Sequence, residues 1–173
     1  MKRILLYIML LFTTVATCAH SGGSYEYSDI FKSMQAGDKA AILIVHFGTT
    51  HDDTRELTIE ALNNQVKQVF PSIEVREAYS SRIVIKRLSE RGIYKVNPLE
   101  ALKLLHADGY THILIQSSTV IDGVEMESLY KNVEEVSRLF KDVRIGMPLL
   151  YSPQDYEDVI KVLTEKKKKD VAY

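Results

Sequence analysis

Ala40-Ala41-Ile42-Leu43-Ile44-Val45 decides the fold. Six apolar residues in a row leave no wet face, so the run suits a strand covered on both sides, as in parallel sheets. Worked outward, the same reading gives a second strand at 73–78, a third at 112–116 and a short fourth at 143–146. Helical spacing fills the intervals. Asp52 or Asp53 caps a helix whose apolar stripe is Leu57, Ala61, Leu62, Val66 and Val69, ended by Pro71. Ser80 or Ser81 opens a basic amphipathic helix through Arg91, closed by Gly92. Asn97-Pro98 starts the next, through Ala107. Residues 123–140 form another, with Leu129, Val133, Val136 and Leu139 inward. Ser152-Pro153 begins the last, with Tyr156, Val159, Ile160 and Leu163 as its buried stripe. Alternating strands and helices predict an α/β fold, a parallel sheet with helices on both faces. Asp170-Val171-Ala172-Tyr173 reads as a fifth strand begun and not finished, so the unit 39–173 reads as truncated.

The first residues are a different kind of sequence. Lys2 and Arg3 precede an apolar stretch, Ile4 to Val15, that is too short to span a bilayer comfortably. Small residues follow at Ala16, Thr17, Cys18 and Ala19. Residues 1–19 read as an export leader, and 20–38 as a polar tether with one short helix. Val15-Ala16-Thr17-Cys18 resembles a lipoprotein box, with Thr17 departing from the usual small residue. Either Cys18 carries a lipid that anchors the protein at the membrane, or cleavage near Ala19 gives a soluble periplasmic protein. Cys18 is the only cysteine, so the mature part has neither a disulfide nor thiol chemistry. A net charge of −1 over 173 residues argues against a nucleic-acid partner, which would need a basic face.

In open parallel sheets, ligands bind beyond the carboxyl ends of the strands. Four segments stand there: 46–53, 78–82, 116–125 and 147–152. The first puts His46, His51, Asp52 and Asp53 on one turn, and imidazole is a good ligand for Co, Ni, Fe and Zn. His51 and the two aspartates read more readily as a polar helix start. His46, at a strand end before Phe47-Gly48, reads as functional. Arg82, with Lys86 and Arg87, puts positive charge beside the strand ends, suited to a ligand with several carboxylates or to a plain solvated face. His106 and His112 lie away from that edge and read as structural or solvated. No phosphate-cradling glycine loop and no serine nucleophile elbow occurs, so nucleotide cofactors are not expected.

Ile44-Val45-His46-Phe47-Gly48-Thr49-Thr50-His51-Asp52-Asp53-Thr54-Arg55 resembles the opening strand and loop of the anaerobic sirohydrochlorin cobaltochelatases, the class II chelatases. The same holds of Arg76-Glu77-Ala78-Tyr79-Ser80-Ser81-Arg82-Ile83-Val84-Ile85, Glu100-Ala101-Leu102 and Ala107-Asp108-Gly109-Tyr110-Thr111-His112. These blocks run in the family's order from about Lys39. The resemblance implies one half of a two-half fold that clasps a tetrapyrrole. It implies insertion of Co²⁺, or Fe²⁺ or Ni²⁺, without ATP, in anaerobic cobalamin synthesis. Tyr79, Ser81 and Arg82 become candidate tetrapyrrole-binding residues, and Glu125 the assisting glutamate. Two departures matter, one being that the family's other catalytic histidine lies in the second half, which this chain lacks. The family pattern Gln-x-x-His-x-x-x-Gly-x-Glu is met here by Gln116 through Glu125 with Thr119 where histidine belongs, and threonine is a poor ligand and no base near neutral pH. In related short chelatases a histidine ending the first strand is a metal ligand, which makes His46 the candidate ligand and catalytic group. It would act with groups from a missing half or from a second subunit of a homo-oligomer. The competing readings are an exported tetrapyrrole or metal carrier without catalysis, and an inactive fragment.

Overall fold

The structure, a computed structural model, describes residues 29–170. Residues 1–28, with the expected leader and Cys18, and residues 171–173 lie outside those residues. The strands are β1 (Ala40–His46), β2 (Glu74–Tyr79), β3 (His112–Ser117) and β4 (Asp142–Ile145). They form one parallel sheet in the order β2-β1-β3-β4. The apolar run is thus an interior strand, and Ala41–His46 is buried throughout.

Side chains alternate across the sheet. Ala41, Leu43 and Val45 of β1, with Ile113 and Ile115 of β3, pack on α4 (Pro98–Ala107) and α5 (Val124–Val136), chiefly on Leu102, Leu105, Met126 and Leu129. Each large aliphatic chain buried there contributes about 1.5–3 kcal/mol. Ile42 and Ile44 face the other side. There a groove of about 210 Å³ runs beside Leu62, Val66 and Phe70 up to Ser117 and Ser118.

The helix after β1 departs from its expected stripe. It opens as α1 (Asp52–Thr54), passes through a π-helical stretch, Arg55–Glu60, and continues as α2 (Ala61–Val69). The wider π turn shifts the phase of everything after it. Ile59 and Asn63 turn inward, whereas Leu57, Leu62 and Val69 are exposed. In α5, Leu129, Val133 and Val136 are buried as expected. Leu139 is exposed because the chain tightens into a 3₁₀ turn, Ser137–Leu139, and rotates it outward.

The last helix, α6 (Pro153–Asp170), corrects a second expectation. Tyr156, Ile160 and Leu163 are 47%, 60% and 61% exposed, so the apolar stripe is not buried. Among the described residues no sheet face lies under it. Asp170, expected to begin a strand, is instead the last residue of α6. No helix among the described residues is long and apolar enough to cross a membrane.

At the amino end of the sheet, the stretch before β1 is more than a tether. A 3₁₀ turn, Ile30–Ser33, capped by the Asp29 carboxylate, buries Ile30. The Ser33 hydroxyl donates to Asp142, and Lys141 pairs with Asp38 at 2.7 Å. His112 is buried against the Thr111 hydroxyl at 2.9 Å, and His106 stacks edge-on to Phe140. His112 is thus structural and His106 exposed, and both lie away from the carboxyl edge.

Candidate functional site

The backbone at the carboxyl edge continues the sheet's pairing into the loops. Ser118 N–H donates to Val45 O, Ser80 N–H to His46 O and Ser81 N–H to Phe47 O. Leu149 and Leu150 N–H donate to Thr119 O and Val120 O. Gln116 sends its side-chain amide to Ser117 O at 2.9 Å and Met147 O at 3.0 Å, tying the β3 and β4 ends together. Gly146 makes that bridge fit, since a Cβ there would run into the Gln116 amide.

His46 ends β1 and is 2% exposed. Its Nε2 lies 2.9 Å from Asn63 Oδ1, and its Nδ1 lies 2.9 Å from Ser118 Oγ. The Asn63 amide in turn donates to Glu77 at 2.8 Å, and Glu77 pairs with Lys95. Burial pushes the His46 pKa down, only partly opposed by the hydrogen bond with Asn63 and the nearby Glu77 carboxylate. The ring is therefore neutral at pH 7, the form in which imidazole binds metals.

The neighbouring turn separates rather than gathers its polar groups. Asp52 is held by Arg55 at 2.8 Å and by Arg91, and those guanidiniums lower its pKa. Asp53 accepts from Thr54 N–H at 2.7 Å. His51 is exposed at the cap position of α1 and makes no side-chain cap hydrogen bond. Among the described residues no three histidine, cysteine, aspartate or glutamate side chains cluster as a metal site.

Tyr79 does not line the cleft. It is fully buried, edge-on to His46 with ring centres 6.4 Å apart, and Gly48 rests on its ring. Gly48 has φ +95°, and a Cβ would strike the Tyr79 ring, so glycine is required there twice over. Burial, foremost, drives the phenol pKa up to about 12, and among the described residues its hydroxyl has no hydrogen-bond partner. Ser81 spends its hydroxyl capping α3 (Arg82–Ser89), accepting from Val84 N–H. Arg82, Lys86 and Arg87 are exposed and, among the described residues, make no ion pair. Thr119 bonds Ser117 Oγ at 3.0 Å. Glu125 is half-buried in the first turn of α5.

The strand-end segments also expose large apolar side chains: Phe47, Ile83, Val120, Ile121, Leu149 and Tyr151. Asn63, Glu77, Lys95 and Ser118 were not singled out from the sequence. The available signal was Glu77, a carboxylate inside a strand that parallel pairing would bury.

The chain was compared with known proteins. It is 36% identical over 128 residues to the sirohydrochlorin cobaltochelatase of Salmonella typhimurium, covering 73% of this chain and 48% of that protein. It is 32% identical over 121 residues to the sirohydrochlorin cobaltochelatase CbiKC of Nitratidesulfovibrio vulgaris, covering 69% of this chain and 43% of that protein. The chain thus spans about half the length of the curated relatives it matches. The cobalt chelatase (CbiK) profile matches residues 40–172, the whole sheet and its helices. With the histidine-tipped central strand at the edge where such a sheet takes its ligand, the chain belongs to the CbiK cobalt chelatase family.

Proposed function

We propose that this chain forms one wall of a cobaltochelatase site and takes part in inserting Co²⁺ into a sirohydrochlorin-type tetrapyrrole. The observation that carries the reading is the composition of the carboxyl edge. A flat macrocycle with carboxylate arms needs apolar side chains against its face and cations at its rim. Phe47, Ile83, Val120, Ile121, Leu149 and Tyr151 answer the first need, and Arg82, Lys86 and Arg87 the second.

Insertion replaces two pyrrole N–H protons by one divalent ion, so the site must hold the metal and accept protons. His46 is the neutral nitrogen donor at that edge and serves as the metal's ligand. Glu125, in the turn after Gly123, serves as a proton acceptor. Thr119 supplies only a hydroxyl. Ser81 holds the start of α3, and so places Arg82. Tyr79 acts beneath the surface, carrying the turn that bears Phe47. The ion is a substrate here, and Fe²⁺ or Ni²⁺ would meet the same donors. The remaining wall comes from a second half or a second copy of the chain.

The test follows the absorbance of sirohydrochlorin as Co²⁺ is added to the full chain, with and without an in-frame C-terminal extension. Insertion at a rate above the protein-free reaction, lost in His46→Ala, is expected. Tight tetrapyrrole binding without insertion in either form would replace the enzyme by a carrier. Thr119→His should raise the rate, because it restores an imidazole where the family's pattern has one.

The basic start, short apolar stretch and small residues of 1–19 support export to the periplasm, soluble or held by a lipid on Cys18. Mass spectrometry of protein from its native host checks this. An intact Met1 on cytoplasmic protein would sink it.

A further inference from the structure

His46 is not merely at the site; it is oriented. Asn63 can be placed only one way. Its amide nitrogen must face the Glu77 carboxylate, which accepts and cannot donate, so Asn63 Oδ1 faces His46. A carbonyl oxygen accepts, so the imidazole proton sits on Nε2. The Nδ1 lone pair then points the other way, where the exposed Ser118 hydroxyl donates to it. Lys95 holds Glu77 from its far side, and both line a polar groove against the β2 edge with Glu60, Asn64 and Arg76.

From this we infer that Asn63, braced by Glu77 and Lys95, is a positioning residue that fixes the tautomer of His46 and presents Nδ1, not Nε2, to the incoming metal. The inference rests on His46 being the metal ligand. An imidazole that donates its second N–H to a carbonyl is held in ring orientation and made a better donor. Ser118 is the removable cap. It lies beside Ser117 at the mouth of the apolar groove on the sheet face, and turning its hydroxyl away frees Nδ1 without disturbing the buried side of the ring. Binding through Nε2 would require breaking the buried Asn63 bond.

Nitrogen-15 NMR of the histidine side chains in the full chain tests this, with His46→Gln assigning the signals. The wild type should show His46 protonated on Nε2 and bare on Nδ1. Adding Zn²⁺, a diamagnetic stand-in for Co²⁺, should shift Nδ1 and leave the Nε2 proton in place. Asn63→Leu should give a mixed tautomer and weaken Co²⁺ binding about tenfold. Glu77→Gln, whose amide can donate as well as accept, should release the Asn63 orientation and change or mix the tautomer. A wild-type ring protonated on Nδ1, a metal on Nε2, or an Asn63→Leu protein with unchanged tautomer and affinity would each overturn the inference. Should Asn63→Leu not fold, the wild-type spectrum alone decides the tautomer. Metal ions that leave all His46 signals unmoved would remove His46 as ligand, and with it the reading beneath, even where the tautomer stands.

Discussion

His46 carries a reactive group inside a packed core, and that double membership has a measurable cost. Its folded-state pKa lies below its ordinary value of 6.5. Between the two values the unfolded chain binds the proton and the folded chain does not, so stability rises with pH across that window. The contribution is complete above about pH 6.5 and is lost as pH falls toward the lowered value. Melting temperature against pH should therefore drop more steeply on the acid side for the wild type than for His46→Gln. Tyr79 leads to the opposite kind of experiment. A buried hydroxyl with no partner contributes nothing to offset its desolvation. Tyr79→Phe should keep or raise stability, by about 0.5–1 kcal/mol, and leave tetrapyrrole affinity unchanged in a titration. A tyrosine in contact with the macrocycle would lose affinity instead. The sequence placed His46 at a strand end, where the structure has it. It could not identify Asn63, because an asparagine among Leu62, Asn64 and Gln65 looks like the wet side of a helix.

At the level of the element, strands were legible and helix faces only in part, that of α5 being read correctly. β1 is an uninterrupted apolar run, and its parallel neighbours each begin and end within a residue or so of their expected limits. The helix after β1 was misread because a π turn changes phase without any residue announcing it. α6 was misread for another reason: helical spacing at Tyr156, Ile160 and Leu163 signals an amphipathic helix, but says nothing of what covers it. The two kinds of helix should answer mutation differently. Leu129→Ala, in α5, empties a packed site and should cost about 2–5 kcal/mol. Ile160→Ser, on the exposed stripe, should stay within about 0.5 kcal/mol. Urea unfolding of the two variants beside the wild type measures both. A large loss at Ile160 would mean that something covers the stripe in solution.

Across the whole molecule the two ends of the sheet do different work. The carboxyl edge mixes exposed apolar side chains with the exposed cations of α3, and its charge is accessible to salt. Arg82→Glu with Lys86→Glu should weaken sirohydrochlorin binding tenfold or more at low ionic strength, since each reversal replaces an attraction with a repulsion. The melting temperature should hardly move, because neither residue is buried. Equal affinities at low salt would place the carboxylate arms elsewhere. The overall plan of sheet and crossovers was legible because it depends on pattern alone. The internal wiring at the β2 edge depends on three-dimensional juxtaposition of residues 63, 77 and 95, which no spacing encodes. The amino end is built from Ile30, Ser33 and Asp38 clasping β4 and the chain just before it. Residue 29 therefore enters at the pole opposite the cleft. Any chain preceding residue 29 thus joins the domain at its amino pole, on the side away from the His46 edge.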